Sequence, residues 1–184
     1  MAERLTTVRL ASPADAAALA EFGSRTFRDA FEAENTPEDM ALYVASSYGP
    51  ELQSAELRNA AVVTLLAEAG SELAGYSQLR EGSEPACVGG SRPIELWRFY
   101  VERAWQGQGV AQTLMEATLE AARARGADTV WLSVWERNQR AQAFYRKSGF
   151  LDRGEQPFIL GHDRQTDRVM ARPLAADRRF PGID

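Results

Sequence analysis

Gln106-Gly107-Gln108-Gly109-Val110-Ala111 is the stretch on which the reading of this 184-residue chain turns. Its two glycines stand ahead of a run in which Val110, Leu114, Thr118 and Ala121 recur at helical spacing. A helix start leaves its first backbone N–H groups without intrahelical partners and carries positive partial charge, so it can seat an anion. Glycine has no Cβ, so a ligand can come close to the main chain there. Taken alone, such a pair is equally a tight turn. Two phosphate loops are excluded: no Gly-Lys-Ser/Thr follows, as a P-loop requires, and the third glycine of a dinucleotide fingerprint is missing.

Outward from this loop the chain alternates strands and helices. Ile94 to Val101 is a dense apolar strand that feeds it, and Gly107 to Arg125 is the helix that leaves it, stopped by Gly126. Thr129 to Val134 then reads as a strand, Asn138 to Ser148 as a helix, and Glu155 to Leu160 and Arg168 to Leu174 as strands. Before the loop, Ala61 to Glu68 and Glu72 to Arg80 flank Ala69-Gly70-Ser71 as a hairpin. Glu81 to Pro93 is polar and rich in Gly, Ser and Pro, hence a loop. Ser12-Pro13-Ala14-Asp15 and Thr36-Pro37-Glu38-Asp39 each carry a cap, a first-position proline and an acid where a capping box needs one. They open two helices after a short strand from Arg4 to Leu10. The second is expected to end near Gly49-Pro50, with Glu51 to Asn59 a further helical piece. The expected fold is α/β (α+β): a mixed, mostly antiparallel twisted sheet of about seven strands with helices on both faces. One domain spans 4–174, the step from Ile94 to Val134 is a right-handed parallel crossover, and 175–184 form a tail.

The bulk composition removes whole classes of function. A formal net charge of -5 argues against a general nucleic-acid binder, which needs a basic face. One cysteine, Cys87, and one histidine, His162, leave no thiol- or histidine-rich metal site. No stretch approaches the roughly 20 apolar residues of a membrane span, and no apolar signal run opens the chain, so a cytoplasmic location is expected.

The spacing Gln106-x-x-Gly109-x-Ala111 resembles the pyrophosphate loop of the GNAT superfamily, the Gcn5-related N-acetyltransferases. Glu95-Leu96-Trp97-Arg98-Phe99-Tyr100-Val101 resembles the strand before that loop, and Asn138-x-x-Ala141-x-x-x-Tyr145-x-x-x-Gly149-Phe150 the helix after it. Gly75-Tyr76 fits the preceding hairpin. Trp131 to Asn138, Phe158 to Asp167 and Asn35 to Glu38 are similar to a bacterial branch that includes spermidine/spermine acetyltransferases (PaiA-like). The resemblance implies acetyl-CoA as donor, with no metal. The backbone of Phe99, Tyr100 and Val101 would bond the pantetheine arm, and Gln106, Gly107, Gln108, Gly109, Val110, Ala111 and Gln112 would cradle the pyrophosphate. Ala111 stands where glycine is commoner.

The implied reaction moves two protons. An alkylammonium has a pKa of about 10.4, so a base must free the amine, and an acid should protonate the departing thiolate. Tyr145, seven residues after Asn138 on one helix face, is the candidate acid, with ring packing as the alternative. Glu95, a carboxylate in an apolar strand, is the candidate base. The alternatives there are a strand-end charge paired with Arg98, or a water chain in its place. Ser133 matches a position where other relatives carry glutamate. Asn138 is both a helix cap and a contact for the cofactor arm. Phe27 and Phe31, with Glu32, Glu34, Glu38 and Asp39 nearby, border the acceptor cleft of relatives and suit a cationic small-molecule amine. A peptide or protein amine, a non-catalytic acetyl-CoA sensor, and another nucleotide binder are the competing readings. A homodimer is compatible with the resemblance.

Overall fold

The computed structural model describes residues 6–82 and 84–174. The chain runs β1 (Thr6–Leu10), α1 (Ala16–Phe31), α2 (Pro37–Ser47), α3 (Pro50–Arg58), β2 (Val62–Ala69), β3 (Glu72–Arg80), β4 (Pro93–Val101), α4 (Val110–Ala124), β5 (Thr129–Trp135), α5 (Gln139–Lys147), β6 (Leu151–Leu160) and β7 (Asp163–Pro173). Seven strands make one sheet in the order β1-β2-β3-β4-β5-β7-β6, antiparallel except where β4 meets β5. Arg4, Leu5 and the expected tail lie outside the described residues.

Each face of the sheet has its own apolar layer. Met115, Leu119 and Ala122 of α4 and Tyr145 of α5 pack with Leu79, Leu96, Leu132 and Met170 on one side. Leu19 and Phe22 of α1 pack with Leu66 and Tyr76 on the other, and Phe27 joins Met40 and Val44 of α2. The two proline-marked helix starts form as expected. The Ser12 amide donates to Asp15 Oδ2 (2.7 Å), and the Asp39 amide donates to Thr36 Oγ1 (3.2 Å). Pro13–Asp15 form a short 3-10 turn ahead of α1.

Three boundaries differ from expectation, each for a local reason. Pro50 opens α3 rather than closing α2, because a first-turn proline gives up an N–H that the helix does not use. Helix α4 begins at Val110, not Gly107. Gly107 and Gly109 have φ of 79° and 87°, in the left-handed region, and Arg103–Trp105 add a 3-10 turn. Strands β6 and β7 start earlier than Glu155 and Arg168. Most residues of the edge strand β6 are exposed, so its sequence lacks an apolar alternation.

Two irregularities mark the middle of the sheet. Parallel pairing of β4 with β5 covers only Pro93–Glu95 against Thr129–Trp131. Beyond Glu95 the two strands no longer pair, and a gap opens in the sheet. The second irregularity is a bulge in β4. Gln78 pairs with Arg98 and Leu79 with Leu96, so Trp97 has no partner on β3. Strict alternation would group Glu95 with Phe99 and Val101. The extra residue instead groups Glu95 with Arg98 and Tyr100, beside Arg80, Gln78 and Tyr76 of β3. Phe99 and Val101 go to the α4 face.

Candidate active site

A cleft of about 1000 Å³ runs through the β4–β5 gap and joins the two faces. On the α4 side it is lined by Phe99, Val101, Gln106, Gly107, Ala111, Gln112, Asn138 and Tyr145. The loop that enters α4 is held by its own side chains. Gln106 Nε2 donates to the Val101 carbonyl (3.0 Å), and Gln108 Nε2 to the Ala104 carbonyl (2.6 Å). The helical ladder begins with the Thr113 amide on the Gly109 carbonyl (3.0 Å), so the amides of Val110, Ala111 and Gln112 precede it. A Cβ built on Gly107 or Gly109 would meet nothing within 4 Å. The backbone twist demands glycine there, and the same positions face open space in front of unpaired amides. That arrangement fits a pyrophosphate.

Asn138 caps α5, its Oδ1 accepting from the Ala141 amide (3.0 Å). Seven residues on, Tyr145 is buried, with its ring against Phe99 (centroids 6.3 Å), Phe144 (5.6 Å) and Phe150 (5.8 Å). Burial raises its pKa further above the ordinary tyrosine value, so the phenol keeps its proton at neutral pH. A protonated phenol at the cleft wall can donate a hydrogen bond. Phe99 stacks on Phe144 (5.6 Å, 28°) and fixes the α5 face against β4.

On the opposite side the walls are aromatic. Phe27 stacks on Tyr43 (4.4 Å), Phe31 meets Trp135 edge-on (5.9 Å), and Tyr43 meets Phe158 (5.5 Å). Phe27 and Phe31 therefore line the cleft together with Glu34, while Glu32, Glu38 and Asp39 are not among its lining residues. Asp39 is used structurally: its Oδ1 accepts the His162 amide (2.6 Å) and ties the start of α2 to the β6–β7 turn.

Glu95 also lines the cleft, and its side chain is only 9% exposed. Its ion-pair partner is Arg80 on β3, not Arg98. Arg98 is engaged elsewhere, with Glu56 Oε2 (2.8 Å), Gln78 Oε1 (2.8 Å) and the Ser47 carbonyl (3.2 Å). Both guanidinium groups flank the Trp97 ring, at 4.1 Å for Arg80 and 3.9 Å for Arg98. Tyr100 belongs to this acceptor face, stacked on Tyr76 (5.7 Å), so among the three β4 residues expected to meet the donor its side chain points away from Phe99. Its main chain remains on the gap. Arg80, Tyr43, Phe158 and Asp167 are cleft residues that sequence reasoning did not single out for a role. Phe158 and Asp167 had a signal, as the two ends of the Phe158–Asp167 resemblance. Among the described residues, no group of three or more potential ligands could hold a metal, and no helix is long and apolar enough to cross a membrane.

Comparison with known proteins gives this geometry a family. Residues 24–150 match the acetyltransferase (GNAT) family. A protein of Mycobacterium bovis described as an uncharacterized N-acetyltransferase is 34% identical over 160 residues, covering 87% of this chain and 98% of that protein. A second uncharacterized N-acetyltransferase, from Lactobacillus delbrueckii subsp. lactis, is 30% identical over 149 residues, covering 81% and 86%. The crystal structure of a PaiA N-acetyltransferase from Thermoplasma acidophilum in complex with coenzyme A superposes with a TM-score of 0.75 at 20% identity, covering 92% of this chain and 99% of that one. The chain belongs to the acetyltransferase (GNAT) family and is an N-acetyltransferase with acetyl-CoA as its donor.

Proposed function

We propose that the acceptor is the primary amine of a small cationic molecule, a polyamine or a similar amine, which attacks the thioester directly. The observation that carries this reading is the bulge at Trp97. It sends Glu95 to the aromatic-walled face while Phe99 and Tyr145 stay on the α4 face, with the β4–β5 gap between them. An amine entering past Phe27 and Phe31 meets ring faces and a carboxylate, both of which favour a cation.

In this reading the amides of the α4 entry and the main chain of Phe99, Tyr100 and Val101 hold the donor, and Asn138 positions the turn beside its arm. Glu95, held in place by its ion pair with Arg80, accepts a proton from the ammonium, directly or through water. The neutral nitrogen forms a bond to the carbonyl carbon, the carbon–sulfur bond breaks, and the nitrogen gives up its second proton to solvent to leave the neutral amide. Tyr145 supplies a proton to the thiolate and regains one from solvent. Thiol release with spermine, spermidine, lysine-ended peptides and amino sugars tests the acceptor class. Turnover of the polyamines supports the reading, and turnover of peptides without polyamines overturns it.

A further inference from the structure

Asp167 is left unused by the acetyl-transfer chemistry. It lies on β7 opposite Trp135 of β5 and Gln156 of β6. Alternation along β7 puts it on the face of Val169, whose partner on β5 is Ser133, and the β5 ladder links that face through Trp131 to Glu95. It is therefore an acceptor-side residue. It lines the cleft, is 6% exposed, and its Oδ1 is buried without a hydrogen-bond partner.

A buried carboxylate oxygen in that state is costly unless a partner arrives. Among the described residues, Glu95 has Arg80 and Asp152 has Arg168 (2.6 Å), while Asp128, whose Oδ1 is also unpartnered, takes the Ser91 and Arg92 amides on Oδ2 (2.7 and 3.0 Å) and does not line the cleft. The groups that act on Asp167 are the Ser133 hydroxyl, the Glu136 carboxylate beyond the end of β5 and the Tyr43 phenol of α2, and none of these is cationic. Burial, with help from Glu136, pushes its carboxyl up to about 6, and Ser133 works the other way. The surrounding walls include ring faces, Trp135 against Phe31 and Tyr43 against Phe158, with the Arg137 guanidinium over the Trp135 ring (5.7 Å).

Strand geometry sets its distance from Glu95. Glu95 is in register with Trp131, and Asp167 with Trp135. Four steps of about 3.3 Å along β5 and two strand spacings of about 4.8 Å put their Cα atoms roughly 16 Å apart. Two carboxylates at that distance address two different charges. The geometry points to Asp167 as the group that holds a second ammonium of the acceptor while the reacting nitrogen stands near Glu95. This rests on the cationic-amine reading of the acceptor and narrows it to di- and polyamines.

The test is calorimetric, on the protein saturated with coenzyme A and titrated with 1,4-diaminobutane, spermidine and 1-aminobutane. The expected result is that spermidine binds at least tenfold tighter than the monoamine. Asp167→Asn abolishes that margin and leaves monoamine and coenzyme A affinities within twofold, and Asp167→Glu restores part of it. In steady-state assays Asp167→Asn raises the spermidine KM at least tenfold with kcat within threefold. A folded Asp167→Asn protein that keeps the full spermidine margin overturns the proposal, as does a parent protein that shows no margin. Asp167-dependent spermidine binding without any thiol release would support the ammonium site while sinking the polyamine-acetylation reading.

Discussion

On the α4 side of the β4–β5 gap the recognition groups are main-chain amides, two left-handed glycines and one helix cap. On the α1–α2 side they are side chains drawn from α1, α2, β3, β4, β5, β6 and β7. The first half comes from two short local segments, the α4 entry and the α5 start, and is chemically generic, suited to a donor that never changes. The second half is assembled from distant positions and can be altered one residue at a time without disturbing the loop. The sheet thus separates what must stay constant from what can vary.

Substitutions can break that division, and the largest effect is expected at the thiolate. Tyr145→Phe should lower kcat about 1000-fold while the acetyl-CoA KM stays within twofold, as expected for a lost general acid. Unchanged turnover would reduce Tyr145 to a packing residue. Glu95→Gln should lower kcat/KM about 100-fold and remove the acidic limb of its pH profile. A profile identical to the parent's would move the base role to water.

Next in size is the response of stability to pH. The Asp167 carboxyl is pulled up from 3.8 to about 6 in the folded protein, chiefly by burial and then by Glu136, against the Ser133 hydroxyl and with Tyr43 nearby. The unfolded chain ionises first, so folding stability falls as pH rises from about 4 through 6. Asp167→Asn removes that loss. At pH 8 the variant should be about 2 kcal/mol more stable than the parent, and at pH 4 nearly equal to it, by urea melts at both pH values. A variant less stable at pH 8 would mean that the carboxylate already has a cationic partner in the free protein. The smallest effect belongs to the loop. Gly109→Ala forces a Cβ into a left-handed position at φ 87° and should weaken coenzyme A about tenfold, with acceptor KM unchanged. Weakening of the acceptor instead would erase the distinction between the two halves.

The same division governs what is legible in the sequence. The donor half is legible because its signals are local: glycines at fixed offsets, a strand before them, and Asn138 and Tyr145 one helix face apart. Even there the sequence sets the start of α4 three residues early, since a glycine that starts a helix and one that twists ahead of it look alike. The bulge at Trp97 is hidden inside an apolar run whose two faces are both buried, where a register shift leaves no mark on hydrophobic alternation. It misdirects the ion-pair expectation for Glu95 from Arg80 to Arg98. Asp167 follows Gln165 and Thr166 in a polar stretch, and nothing in that composition distinguishes a buried acid from a solvated one. The domain-scale order of strands and helices is recoverable, because capping boxes and hairpin turns act within a few residues of each other.

The three-residue ladder between β4 and β5 has a mechanical consequence. With so few hydrogen bonds across the seam, β1–β4 and β5–β7 are joined mainly by packing and by the α4 crossover. A donor arm that bonds to the exposed edge of β4 would act as a removable strut, lending the sheet a continuity that the polypeptide itself stops short of providing. Amide exchange along Phe99–Val101 and Leu132–Trp135 would then slow when the donor enters, so the enzyme would be most rigid when it is loaded and loosest between turnovers.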